Sequence, residues 1–228
     1  MNFIQLVSRL SVECGEAGNG PLTTVGQTGM AGNLVNWINA AWIDIQAASQ
    51  DWEWLRKGAS CVTIAGTPNY APTGTAGFGL SDFGMWDQDT FRSYVTSVGA
   101  ASEMFLDKMG YDDWRNTYYF NANRSILTRP VNIAVAWDKS IVLGPIPDVG
   151  YTITGIYYSA PVSMALDGDI PTLPAQFHLG IVYRAMMFYG LFQSANEVYE
   201  RGDAEFSKMM ARLNIDQLPP CNFIGTLA

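Results

Sequence analysis

The two ends of the chain carry apolar residues at helical spacing, and the middle carries them at strand spacing. Phe3, Leu6, Val7 and Leu10 recur three and four apart and predict an amphipathic first helix. A glycine-rich connection from Gly15 to Gly32 follows. Leu34, Ile38, Ala41 and Ile45 then predict a second helix, with Trp37 and Trp42 beside its stripe and Trp52 and Trp54 after Asp51. One helix cannot bury that much ring surface against itself, so the rings need a partner of similar size, either the rest of the fold or another copy of the chain. A third helix opens at Pro174, whose missing N–H costs nothing in a first turn. Ile181, Ala185, Phe188 and Phe192 form its stripe, and apolar residues nearly encircle it, as in a buried helix. A last helix places Val198, Gly202, Phe206, Met209 and Leu213 on one face. Its other face is charged: Glu197, Glu200, Arg201, Asp203, Glu205 and Lys208.

The middle reads differently. "SCVTIAG" is a short β-branched run, and "TPNYAPTGTAGFGLSDFG" reads as an ordered loop rich in Gly, Pro and rings. "FRSYVTSV" alternates as a strand with "EMFL" as a pairing partner. "YDDWRNTYYF" predicts a short helix capped by Asp112, with Asp113 favourable near its N-terminus. "VNIAVAWDKSIVLGP" predicts a hairpin: Val131, Ile133, Val135 and Trp137 face one way, Asp138, Lys139 and Ser140 turn, and Ile141 and Leu143 return. "YTITGIYY" is a further strand. The expected fold class is α+β, a helical bundle formed by the N- and C-terminal helices with a β-rich insertion between them. The expected boundaries are 1–55 and 172–216 for the bundle, 56–171 for the insertion and 217–228 for a C-terminal tail. Bundle helices that lie far apart in sequence must meet, so the two ends of the insertion should lie close together.

Composition changes this picture in one respect. The 228 residues are 48% hydrophobic but only 15% charged, with 13 Lys and Arg and 21 Asp and Glu. An ordinary domain of this length carries about 57 charged residues. Permanent contact with other subunits accounts for such a deficit, because interface cores are poor in charge; a large uncharged β surface on a monomer is the other reading. The net charge of −8 argues against non-specific nucleic-acid binding, which needs clustered Lys and Arg. Cys14, Cys61 and Cys221 show no paired spacing and read as reduced thiols. "MNFIQLVSRL" has Arg9 within its apolar stretch and reads as a helix rather than a signal peptide. "GIVYRAMMFYGLF" is too short to span a bilayer and contains Arg184.

Candidate chemistry is sparse. His178 is the only histidine, so a Ser-His-Asp or Cys-His device would have to use it, and no Gly-x-Ser-x-Gly elbow is present. There is no Cys-x-x-Cys and no His pair for zinc. Asp167-Gly168-Asp169 resembles the start of a calcium loop but lacks the later ligands. The glycines from Gly74 to Gly79 lack the Lys-Ser/Thr of a phosphate loop. Asp87, Asp89, Asp112 and Asp113 are the loop carboxylates that a glycoside hydrolase would have to pair; solvated turn residues are the plainer reading. No catalytic, cofactor or metal residue is assigned. The tail "CNFIGTLA" follows the Pro219-Pro220 stop and carries Phe223, Ile224 and Leu227 with almost no polarity, whereas disordered tails are polar. It should pack on its own chain or on a partner's sheet edge or groove.

Several segments together resemble the head-to-tail adaptor (connector) proteins of tailed bacteriophages. They are "LVNWINAAWIDIQ…DWEWLR", "LSDFGMWDQDTFR", "YDDWR", "LGPIPDVGYTITGIYYSAPVSMALDGDIPTLPAQFH", "IVYRAMMFYG" and the helix ending in "ARLNIDQLPP". The resemblance runs almost end to end and rests on Trp, Pro and Tyr placements rather than on a catalytic motif. It implies a non-enzymatic virion protein of the neck, assembled in the host cytoplasm, with no cofactor and no membrane partner. It implies a homo-oligomeric ring, commonly a dodecamer, that joins the portal to a downstream tail or nozzle protein. DNA would pass through without specific binding, and the C-terminal segment, here Phe223, Ile224 and Leu227, would reach into the portal. A stopper or tail-completion ring, a virion-associated hydrolase of cell-wall glycan, and a sugar-binding module with stacked Trp and Tyr are the rival readings.

Overall fold

A computed structural model describes residues 1–16, 18 and 20–218. In chain order the elements are α1 (Phe3–Glu13), α2 (Gly29–Ala47), β1 (Arg56–Val62), β2 (Asn69–Tyr70), β3 (Phe83–Val95), β4 (Met104–Phe105), β5 (Asp107–Lys108), α3 (Tyr111–Trp114), β6 (Asn132–Val135), β7 (Ile141–Gly144), β8 (Tyr151–Ser159), α4 (His178–Gln193) and α5 (Asn196–Gln217). The fold is α+β, with helices at both ends and strands between them. The chain divides into two compact units, 1–55 with 161–228, and 56–160.

In the helical unit, α1 begins with a reciprocal cap. The Asn2 side chain accepts from the Gln5 N–H, and the Gln5 side chain accepts from the Asn2 N–H, both at 3.0 Å. Phe3, Leu6, Val7 and Leu10 are fully buried, as their spacing predicts. α4 packs against α1, α2 and α5. Contact on three sides explains why its apolar residues nearly encircle it, with Ile181, Val182, Ala185 and Met186 at zero exposure. Its stripe ends early, however: Phe192 is 60% exposed and lies against Trp37 at 5.4 Å, because the helix stops at Gln193 and Ser194 turns left-handed at φ 56°. α5 lies close on α4 because glycines face it. A Cβ on Gly202 would stand 2.9 Å from the Tyr183 carbonyl oxygen, and one on Gly190 would stand 2.8 Å from Tyr199 Cβ. In the tryptophan cluster Trp42 stacks on Trp54 at 5.3 Å, Trp52 Nε1 donates to the Ile45 carbonyl at 3.0 Å, and Trp37 packs edge-on against Tyr189 of α4 at 5.9 Å.

Residues 161–171 run through this unit without helix or strand and turn at 166–168. Asn39 and Gln46, two turns apart on α2, bind the backbone of Met164 and Val162. The carbonyls of Asp167 and Asp169 accept from the Ile4 and Phe3 N–H groups, which satisfies donors at the start of α1 that a helix leaves without intrahelical partners.

The β unit has two four-stranded sheets, ordered β1-β8-β3-β4 and β2-β7-β6-β5. Arg56 pairs with Tyr158 in the β1–β8 ladder, so the two ends of the insertion lie side by side. Side chains from both sheets share one core, including Trp86, Phe91, Ile133, Leu143, Ile153 and Tyr157. The sheet containing β6 and β7 is buried on its second face as well, where Trp114 of α3 meets Ala134 and Val142.

Three local expectations are corrected here. α3 is capped by Gly110 rather than Asp112, which sits inside the first turn. The hairpin forms with Val135 opposite Ile141, but Trp137 leaves the core face and is 86% exposed. The ladder ends at Val135, and Ala136 to Ser140 already form the turn, with Lys139 at φ 65°. Strand β3 begins at Phe83, inside the segment read as loop, and accommodates Asp87 to Arg92 as an irregular bulge against β8.

Candidate functional site

Among the described residues, each side chain that sequence reasoning weighed for chemistry has a structural partner or an isolated surface place. His178 is buried; its Nε2 donates to the Leu173 carbonyl at 2.9 Å, and its Nδ1 accepts from the Met1 amine at 2.5 Å. A carbonyl can only accept and an ammonium can only donate, so this is the neutral Nε2–H tautomer. Burial pushes the His178 pKa down, consistent with that form. Asp167 accepts from the Thr24 N–H and hydroxyl, both at 2.6 Å, and Asp169 accepts from the Ala165 and Leu166 N–H groups. These hydrogen bonds hold both carboxyl pKa values below the usual range, so Asp167 and Asp169 fasten a turn. Asp87 pairs with Arg56, and Asp89 with Lys108. Asp112 and Asp113 project into solvent from α3. Burial, with Glu16 and Glu13 nearby, pushes the Cys14 thiol up to about 12, and burial also raises that of Cys61. Among the described residues no group of three or more His, Cys, Asp or Glu could hold a metal ion. No described helix is long and apolar enough to cross a membrane.

Surfaces fit for docking are more developed. In the helical unit, Gln176, Phe177, Met209, Arg212, Ile215 and Asp216 surround a concave patch of about 540 Å³. Ile215 is 85% exposed there, two residues before the expected start of the tail at 217. Phe223, Ile224 and Leu227, the tail residues expected to engage the portal, lie outside the described residues.

In the β unit the Trp137 ring stands on a braced turn. Asp138 accepts from the Ser140 N–H and hydroxyl, and the Lys139 carbonyl accepts from Trp86 Nε1 at 2.7 Å. A second surface follows α3, where the chain winds through a π-helical turn, Arg115–Tyr119. Tyr111, Trp114, Tyr119 and Phe120 form a chain of ring contacts. Arg115 lies over Tyr111 and Phe120, and Arg124 over Tyr119, at 5.4–5.8 Å. Sequence reading missed this surface, although one signal for it was present: no Asp, Glu or Lys occurs from Arg115 to Trp137.

The family model described as SU10 adaptor protein matches residues 1–219. The chain belongs to that family, in keeping with its resemblance to phage head-to-tail adaptors. No curated protein matches it.

Proposed function

We propose that this phage adaptor works as a non-enzymatic subunit of a homo-oligomeric ring, a dodecamer in the arrangement such adaptors commonly take, between the portal and the next tail or nozzle protein. Family membership over nearly the whole chain carries the reading. The shortage of charged residues supports it, because the sides of a ring subunit are covered by neighbours. The charge distribution supports the passage of DNA without binding. The helical unit has 12 carboxylates against 5 Lys and Arg, a net charge of −7, and the β unit has 9 against 8, a net charge of −1. Acidic surface repels phosphate rather than holding it.

Residues 221–228 serve as the portal anchor in this proposal. The patch lies near the end of α5, and residues 221–228 carry Phe223, Ile224 and Leu227 with no charged side chain. Co-sedimentation of the full chain with the portal protein of the same phage tests the reading. The full chain co-sediments with the portal as a ring. Removing 221–228, or substituting Phe223→Ser with Ile224→Ser, weakens binding strongly, since a few buried apolar anchors carry much of an interface, about 2 kcal/mol or more each. The unfolding midpoint of the isolated protein stays unchanged. A full chain that never co-sediments with portal overturns the adaptor ring. Lost stability with intact portal binding overturns the anchor.

A further inference from the structure

We infer that the arginine–aromatic surface around Arg115 and Arg124 is one half of the contact between neighbouring copies, and that its counterpart is the acidic first half of α5. The inference rests on the ring reading and names the surfaces that close it.

The first observation concerns ion pairing. Eight of the 13 Lys and Arg are ion-paired among the described residues. Arg129 is held differently, one terminal nitrogen donating to the carbonyls of Ser93 and Ser102. Among the described residues Arg115 and Arg124 have only ring contacts, although carboxylates outnumber cations in this chain and Asp112 sits one turn before Arg115. Stacking on Tyr111, Tyr119 and Phe120 holds each guanidinium in place while leaving its N–H fork free for a carboxylate.

The second observation concerns composition. Tyr119, Phe120, Ile126 and Leu127 are each between 41% and 51% exposed. From Arg115 to Leu127 the chain carries rings and arginine with no Lys, Asp or Glu, the makeup of an interface core rather than of ordinary solvated surface. That makeup favours a protein partner that presents carboxylates.

The chain itself supplies such a partner. Glu197, Glu200 and Asp203 recur three apart on α5, all exposed, and none is ion-paired among the described residues. The other α5 charges nearby are already used: Arg201 pairs with Glu13, and Glu205 with Lys208. A free cationic surface on one unit and a free acidic face on the other form a heterologous pair. Pairs of that kind repeat from copy to copy and close into a ring when the rotation allows.

Charge reversal with rescue tests the contact, using the full chain followed by sedimentation velocity and native mass spectrometry across a concentration series. Arg115→Glu with Arg124→Glu weakens self-association roughly tenfold or more, and Glu197→Arg with Glu200→Arg does the same. Mixing the two reversed proteins, or combining all four changes, restores association. Arg115→Gln with Arg124→Gln weakens it less and keeps the wild-type unfolding midpoint, so folding failure is read separately. Undiminished association of the Arg115→Glu, Arg124→Glu protein, or weakening by both reversals without rescue, overturns this contact. A wild-type chain that remains monomeric at every concentration also overturns it. The adaptor reading then still stands if the chain binds portal, and falls if it does not.

Discussion

The side chain of Gln46 and the backbone of Val162 exchange two hydrogen bonds: the Val162 N–H donates to Oε1 at 3.0 Å, and Nε2 donates to the Val162 carbonyl at 3.1 Å. A buried amide on a helix thus takes the place of a neighbouring strand. Asn39 repeats the pattern with Met164 two turns earlier, at 2.9 and 3.0 Å. Gln46→Leu keeps the volume but leaves both Val162 groups unpaired. It should lower stability by about 1–3 kcal/mol in urea unfolding, and Asn39→Ala should lower it by less, because that site is partly open to water. If Gln46→Leu is neutral, the 161–165 segment is not held by α2.

The approach of α4 and α5 predicts a contrast between two glycines. A methyl group at Gly202 meets the Tyr183 carbonyl at 2.9 Å and Met186 Cβ at 3.1 Å, and the backbone carbonyl cannot move aside cheaply. Gly202→Ala should therefore cost about 1–3 kcal/mol, despite alanine's better helix propensity. At Gly168 nothing lies within 4 Å, and Gly168→Ala should be close to neutral. Thermal unfolding of the two variants side by side reads the difference.

Two tryptophans of the β unit should also part company. Trp86 is 5% exposed, lies among Phe78, Phe83 and Phe91, and donates to Lys139; Trp86→Ala should cost about 3–5 kcal/mol. Trp137→Ala should leave the unfolding midpoint within about 0.5 kcal/mol of wild type. A large loss at Trp137 would place that ring back on the core face.

The contrast shows where the sequence was readable. Amphipathic helices whose stripes continue to their ends, such as Phe3, Leu6, Val7 and Leu10, were legible because periodicity and burial report the same thing. The hairpin itself was legible, but Trp137 was not: period-two alternation carries no mark of the residue at which a ladder stops. Strand β3 was shortened because Asp87, Asp89 and Thr90 break the apolar alternation, and only the register with β8 shows that they form a bulge inside one strand. The Arg115–Arg124 surface was half legible. Its lack of Asp, Glu and Lys can be counted, but that both arginines stay unpaired is a property of three dimensions.

His178 predicts a pH dependence with a definite sign. Burial holds its folded-state pKa below the ordinary 6.5, and the Met1 ammonium beside Nδ1 opposes protonation further. The unfolded chain therefore binds a proton at His178 before the folded one does. Stability is full above about pH 6.5 and falls as the pH drops toward the folded pKa, with a slope of at most about 1.4 kcal/mol per pH unit for one proton. The carboxylates held low start from ordinary values of 3.8 for Asp82, Asp167 and Asp169 and 4.5 for Glu205, so their contribution is lost only at more acid pH. The window between about 5.5 and 6.5 thus isolates the histidine. His178→Gln keeps a donor for the Leu173 carbonyl and removes the titration. It should be less stable than wild type at pH 7.5 and should flatten the dependence between pH 6.5 and 5.5. An unchanged slope in His178→Gln would assign the acid sensitivity to groups other than this histidine.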